Sequence, residues 1–409
     1  MMNVMTPSTQ YWQPDITPHL PFHEWVNPAQ DVAFFCDIHA DSAAFLRSLK
    51  KADLITLNSQ AANLLLTTKG KNTRIVIGGD CFDKGPSTLK LLRLINQLMQ
   101  QKPDTVLIAG NHDVRFLAGL LALNHQDNPL QFHFFARMGK KAIALLADIY
   151  REWGEHPNPN QQACFVDASW PKAFKKAALD SLPKSLIKKE IKQLHKKQAD
   201  MHQAWSKHFN DPASLGHAIR WAQTLFLEPQ GEFAGFFNQL KLLHIEGSTL
   251  FSHAGIDDSL AMRLTTDGLD RINLDFQGHL RQGRLFELYY GPLGNAFRTK
   301  YRKYDWPFSV QGAKALKSLK LFAIANGHRH HLNGQQIFVR NSLLNFECDT
   351  QLNTHCRAKD AIQTPGWAVT IFGSDGSVVA QSSDHAQIKR FHPHYWIEDH
   401  GQNHTYLRA

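Results

Sequence analysis

Five apolar runs in this chain break in the same way, each into a short polar motif drawn mainly from glycine, aspartate, asparagine and histidine. The runs at 32–36, 75–77, 106–109, 250–251 and 321–325 are rich in Val, Ile, Leu and Phe. Short runs of that composition, bounded by turn-forming residues, read as buried strands. Stretches with helical spacing at 43–52 and 88–99 lie between the first three, so the early chain alternates strand with helix. Alternation of this kind predicts an α/β fold with parallel strands, which gathers ligands beyond the carboxyl ends of its strands. The polar motifs are therefore expected to meet along one edge.

The motifs are Asp37-Ile38-His39, Gly79-Asp80-Cys81-Phe82-Asp83-Lys84-Gly85-Pro86, Gly110-Asn111-His112-Asp113, His253-Ala254-Gly255 and Gly327-His328-Arg329-His330. Carboxylate and amide oxygens mixed with imidazole nitrogens suit Mn, Fe or Zn, and the lack of an ordered set of thiolates argues against structural zinc. Two metals roughly 3.5–4 Å apart need one shared carboxylate and separate ligands on either side. Asp80 is the natural bridge. Asp37, His39 and one later histidine would complete the first metal, and Asn111, His253 and another later histidine the second. Taken singly, the first motif reads as a strand end with a satisfied histidine, the third as a turn and the last as an exposed loop. Their fixed order, each at a strand end, favours a shared site.

The string resembles the signature of the calcineurin-like metallophosphoesterases, whose motifs run D-x-H, G-D-x-x-D-x-G, G-N-H-[DE], H and G-H-x-H. The match extends from about 32 to 382, apart from the long segment between the third and fourth motifs. The fold it implies is α/β, with two packed mixed β-sheets flanked by helices in a four-layer αββα sandwich. The runs at 335–339, 367–372 and 378–381 would close the second sheet, with Gly373-Ser374-Asp375-Gly376 as a hairpin turn. By matched position, the resemblance implies Asp37, His39, Asp80 and His330 around the first metal, and Asp80, Asn111, His253 and His328 around the second. It implies His112 as the acid and Asp83 as the carboxylate that orients it. The implied cofactors are two divalent ions, Mn foremost with Fe or Zn as alternatives. The implied reaction is attack of metal-bound hydroxide on a phosphate ester. Positive charge for the nonbridging oxygens would come from Lys84, Arg329, Arg298 and Arg302, the last two on the strength of the basic neighbourhood 297–303.

Departures from the family pattern bear on substrate. Phosphoprotein phosphatases usually carry arginine where this chain has Lys84, and another before G-N-H where it has Ala109; lysine lacks arginine's bidentate fork. Ala40 replaces the glycine often found after D-x-H, while G-N-H-D and H-A-G-I look more like the bacterial branch that includes symmetrical diadenosine tetraphosphate hydrolases. The reading is a phosphomonoesterase or protein-phosphatase-like enzyme. Its alternatives are a nucleotide pyrophosphatase of the diadenosine tetraphosphate hydrolase type and, outside that class, a noncatalytic metal-bound scaffold. The expected partners are phosphorylated: a small molecule, a nucleotide or a phosphoprotein.

At 409 residues the chain exceeds the usual size of one core. We expect an N-terminal extension at 1–30, a catalytic domain at 31–123 and 246–383, an inserted helical cap at 124–245 and a tail at 384–409. Helical spacing at 130–153, 184–209 and 215–227, with breaks at Pro171 and Pro183, defines the cap. Its lysines, among them Lys184, Lys188, Lys189, Lys192, Lys196 and Lys197, contribute to a net charge of +9 from 45 basic and 36 acidic residues. A basic face attracts polyanions. Without a recognisable nucleic-acid module, these lysines read as a solvated helix surface. Five cysteines without paired spacing fit a reducing compartment, and Cys36 and Cys81 read as small buried residues. With no apolar run of membrane-spanning length and no signal-peptide core, the expected location is the cytoplasm and no membrane partner is expected. His385, His392, His394, His400 and His404 are spaced irregularly and read as a polar tail anchored by Tyr395 and Trp396.

Overall fold

Strand β1 (Val32–Phe35) shows why the chain folds into layers: it is buried on both faces, and alternate side chains enter different cores. Val32 and Phe34 pack toward a second sheet, with the Phe34 ring 5.5 Å from that of Phe251. Ala33 and Phe35 pack toward helices, with Phe35 edge-on to Phe45 at 5.5 Å. The computed structural model describes residues 10–11, 22–57, 64–159, 169–209 and 211–393 of the chain.

β1 runs parallel to β2 (Arg74–Ile77), and β2 runs parallel to β3 (Val106–Ile108), with Phe34 opposite Val76 and Val76 opposite Val106. Helices α1 (Ser42–Lys51) and α2 (Thr88–Gln101) make the crossovers and bury Phe45, Leu49, Leu91, Leu92 and Ile95 against this sheet. The Asp41 side chain caps α1, accepting from Ala44 N at 2.9 Å. The second sheet has β4 (Thr249–Ser252) parallel to β5 (Ala323–Asn326), with Ile324 opposite Leu250. Outside β4 and β5, the helices Asp258–Thr266 and Val310–Ser318 bury Leu260, Leu264 and Leu316. Two mixed sheets face each other with helices outside, which is the expected αββα fold.

Some expectations are corrected. The five motifs follow strands of two facing sheets, three on one and two on the other, rather than one edge of a single sheet. Of the three late runs assigned to the second sheet, only Gln336–Arg340 lies there. Ala368–Phe372 instead pairs antiparallel with β1, placing Thr370 opposite Phe34, and Val378–Ser382 pairs with it across the hairpin turn at Gly376, where φ is 91°. Residues 385–391 are not a polar tail but a strand, His385–Phe391, paired antiparallel with Val378–Ser382. His394, Tyr395, Trp396, His400 and His404 lie outside the described residues.

After β3 come α3 (Asn111–Ala122), α4 (Pro129–Met138), α5 (Lys141–Trp153), α6 (Trp170–Ala178), α7 (Lys184–Trp205) and α8 (Pro212–Leu227). The spacing at 130–153 read as one helix, but Gly139, at φ +62°, breaks it between α4 and α5. The chain rejoins the first sheet at Leu240–Lys241, parallel to β3, before residue 246. No helix among the described residues is long and apolar enough to cross a membrane.

Candidate metal centre

The first two motifs are joined by backbone bonds that carry on beyond the strand ends. Asp37 N donates to Gly79 O at 3.0 Å, His39 N to Asp80 O at 2.9 Å and Ala40 N to Cys81 O at 2.8 Å. To do this the chain turns sharply: Asp37, His39, Ala40, Asp80 and His328 have φ of 52°, 49°, 57°, 56° and 68°. Non-glycine residues seldom adopt that region, and clusters of them store strain at functional sites. Ala40 thus tolerates a conformation that glycine would accept more easily. At Gly327 space is decisive, because a Cβ there would stand 1.9 Å from Asp37 Oδ2.

Asp80 sits at the centre, 2% exposed. Its Oδ2 lies 3.8 Å from His39 Nε2 and 3.8 Å from His112 Nε2, while its Oδ1 lies 3.5 Å from His253 Nε2. His39, Asp80 and His112 form one compact group of donor atoms, and Asp80, His253 and His328 form another. Asp37 Oδ1 is 3.7 Å from His39 Nε2, and Asp37 Oδ2 accepts from His328 N at 2.8 Å. Asn111 Oδ1 is 3.2 Å from His253 Nε2.

The protons on these rings are fixed by their other neighbours. His39 Nδ1 donates to Phe82 O at 3.2 Å and His253 Nδ1 to Gly78 O at 2.8 Å, since a carbonyl oxygen can only accept. Burial, then the charge of Lys84, pushes the His39 pKa down to about 3, so that ring is neutral. The Nε2 lone pair of His253 therefore points at Asp80 Oδ1 and Asn111 Oδ1, at 3.5 and 3.2 Å, while that of His39 is taken by Lys84 Nζ. Buried His328 Nε2 has no hydrogen-bond partner among the described residues. Acceptors facing acceptors in a buried site are electrostatically unfavourable without a cation. The donor set and the orphaned nitrogen fit divalent metal.

His112 opens α3, and its Nδ1 is 2.8 Å from Asp83 Oδ2. Arg115, one turn along the same helix face, reaches Asp83 Oδ2 at 2.6 Å and His112 Nδ1 at 2.7 Å. Both nitrogens cannot donate to each other, so the arrangement that satisfies all three has Arg115 and His112 Nδ1 donating to Asp83. Burial pushes the His112 pKa well below 6.5, with the Asp80 charge opposing and the Arg115 charge assisting. Asp113 holds the centre from behind, accepting from Gly110 N and Asp80 N at 2.9 Å and from Cys81 N at 2.8 Å.

The other candidates fall at different places. Lys84 Nζ donates to His39 Nε2 at 2.7 Å, which brings it to the centre. Arg329 is committed largely to structure, donating to Glu347 Oε1 and Ala254 O at 2.7 Å and to Thr299 O at 3.1 Å. Arg298 and Arg302 line a separate cavity beside Tyr289 and Tyr304. His330 is exposed and lies in neither group of donor atoms.

Sequence reasoning missed Arg115, Asp349 and Lys141. The i, i+3 spacing from His112 could have found Arg115. Asp349, 6% exposed, is close enough that its charge helps raise the Asp37 pKa, after burial. Lys141, at the start of α5, is solvent-accessible yet crowded. Burial, then Arg115, depresses its pKa to about 8, with Asp83 and Asp80 opposing and Lys84 assisting. Cys36 and Cys81 are buried and free, as expected, and burial raises both thiol pKa values.

Two facing sheets with helices outside are consistent with the metallophosphoesterase fold, and histidines gather around one carboxylate at their shared end. The family model of calcineurin-like phosphoesterases matches residues 31–216 of the chain. Among solved structures, a cold-active protein tyrosine phosphatase is 14% identical, with 92% of this chain and 86% of that one covered and a TM-score of 0.44. A cold-active protein tyrosine phosphatase from a psychrophilic Shewanella sp. is 13% identical, with coverages of 92% and 88% and a TM-score of 0.41. A protein serine/threonine phosphatase from Saccharomyces cerevisiae is 11% identical, with coverages of 89% and 80% and a TM-score of 0.40. No curated protein matches the chain.

Proposed function

We propose that this chain is a dinuclear, metal-dependent phosphomonoesterase. The observation that carries the reading is Asp80, whose two carboxylate oxygens face different histidines: His39 and His112 on one side, His253 on the other. A shared carboxylate flanked by two imidazole sets is what a pair of metals requires. Asp37, His39 and Asp80 would hold one ion, with Asp349 a further carboxylate beside Asp37. Asp80, Asn111, His253 and His328 would hold the other. What two divalent cations supply when bound is Lewis acidity, which makes water nucleophilic at neutral pH and draws charge from the phosphoryl oxygens.

The protein's own groups do the rest. Asp83 fixes the His112 ring through Nδ1 and directs Nε2 at the centre, where a proton for the departing oxygen would sit, with the Asp80 charge favouring the protonated ring against the burial that disfavours it. Lys84, Arg115 and Lys141 bring three positive charges to the same side, where they neutralise nonbridging oxygens. Lys84 Nζ lies 2.7 Å from His39 Nε2, whose lone pair would serve as a metal ligand, and this places its ammonium where it would also meet a phosphoryl oxygen. Burial of Asp37, Asp80 and His253 at 2%, 2% and 0% exposure keeps water from screening these charges.

The test is hydrolysis of a phosphomonoester, a phosphodiester, a dinucleotide polyphosphate and a phosphopeptide by metal-stripped and Mn-restored protein. We expect Mn-dependent monoester hydrolysis that falls at least ~100-fold in Asp80→Asn and ~100- to 10,000-fold in His112→Asn. Turnover that persists without metal, or in Asp80→Asn, contradicts the proposal. Exclusive action on the dinucleotide would make the chain a nucleotide pyrophosphatase instead.

A further inference from the structure

Outside the metal centre lies a cavity of about 430 Å³ whose walls come from the helical segment after β3 and from the stretch around Tyr289 and Trp306. A volume of that size suits a small ligand. Its chemistry is unusual in combining aromatic rings faced by cations with unbalanced positive charge. The Arg137 guanidinium lies 4.5 Å from the Tyr289 ring centre, and that of Arg298 lies 5.0 Å from the same ring. Lys189 Nζ and the Arg302 guanidinium sit 4.6 and 4.4 Å from the Tyr304 ring centre.

Two of these cations are already neutralised. Arg137 pairs with Glu190, and Arg302 pairs with Asp305 at 3.2 Å. Arg298 and Lys189 have no acidic partner among the described residues. Arg298 is aimed by one bond only, from Nε to Tyr289 O at 2.8 Å. At the mouth, Tyr304 is 63% and Trp306 43% exposed, two large aromatic residues on a surface where such groups are usually isolated. Aromatic faces bind planar rings, and unpaired guanidinium and ammonium groups bind phosphate.

We propose that this cavity is a binding site for a planar aromatic group carrying a phosphate, with the ring against Tyr304 and Trp306 and the phosphate on Arg298 and Lys189. The site stands apart from the Asp80 centre and holds its ligand without metal. Its rear wall nonetheless touches the catalytic side, because Lys197 Nζ donates to the carbonyl of Arg137 at 3.0 Å and lies within electrostatic reach of Arg115.

Calorimetric titration of the full chain, stripped of metal so that the Asp80 centre does not compete, tests the proposal. The probes are adenosine 5′-monophosphate and phosphotyrosine as two sources of an aromatic phosphate, phosphoserine as a phosphate without a ring, and adenosine as a ring without phosphate. Saturable one-to-one binding of at least one aromatic phosphate is expected, about tenfold tighter than phosphoserine or adenosine. Which of the two binds more tightly identifies the source. Tyr304→Ala and Lys189→Ala, both at exposed positions, should each weaken binding about tenfold, whereas His112→Asn should leave it unchanged. The proposal is overturned if neither aromatic phosphate binds at millimolar concentration or if phosphoserine binds equally well. It is also overturned if binding survives Tyr304→Ala and Lys189→Ala but disappears in Asp80→Asn. None of these results depends on turnover, so the assignment of the metal centre stands or falls separately.

Discussion

Glu347 pairs with Arg329 and shows what holds the last histidine motif in place. It accepts from Arg329 Nε, Arg340 Nη2 and His331 Nε2, each at 2.7 Å. Burial alone would raise its pKa, but the bond from His331 and the charge of Arg329 outweigh that and hold it at about 2. Because the folded value is depressed, the unfolded chain binds more protons between about pH 4.5 and 2. The stabilisation is complete above that window and is lost as pH falls through it. Glu347→Gln should therefore cost about 3 kcal/mol at neutral pH, with the gap to wild type closing near pH 2 in denaturant titrations. A pH-independent gap would mean that shape, not charge, matters at this position. Residues such as Asp37, Asp80 and His253 were legible in the sequence because each stands within three residues of the end of an apolar run. Glu347 and Asp349 were not, since the first ends and the second follows a strand whose own polar residues disguise it.

That strand, Leu343–Glu347, is buried throughout and pairs parallel with β5, yet it contains Asn345 and Glu347. Apolar periodicity could not reveal it, because its polar groups are satisfied by partners distant in sequence, such as Asn326 Oδ1, 2.6 Å from Asn345 Nδ2. The motif strands were easier to read, being nearly continuous runs buried on both faces. The break at Gly139 and the transfer of Ala368–Phe372 to the first sheet were both set by tertiary geometry, the latter by pairing with β1. Where the two sheets meet, Phe34 stands 5.5 Å from Phe251, which in turn stands 5.0 Å from Phe372. Phe34→Ala should remove about 3–5 kcal/mol of stability, read as a lower urea midpoint. A loss under about 1 kcal/mol would show that the sheets do not depend on this contact.

Over the whole molecule a net charge of +9 surrounds a centre rich in carboxylates. The sequence placed that excess on a solvated helix face, but Lys141 at the head of α5 lies within electrostatic reach of Asp83 and Asp80. Anionic substrates should then be drawn in electrostatically, so kcat/KM should fall several-fold between about 50 and 500 mM salt, and less steeply in Lys141→Gln. Equal slopes in the two proteins would remove Lys141 from substrate attraction. The central claim is that Asp80 joins two cations, and the most direct measurement is the number of Mn ions bound per chain after loading and desalting, counted by elemental analysis. The account predicts two in the wild-type protein and loss of at least one in Asp80→Asn with the fold intact by circular dichroism. A single ion in the wild type, or two retained in Asp80→Asn, would contradict it.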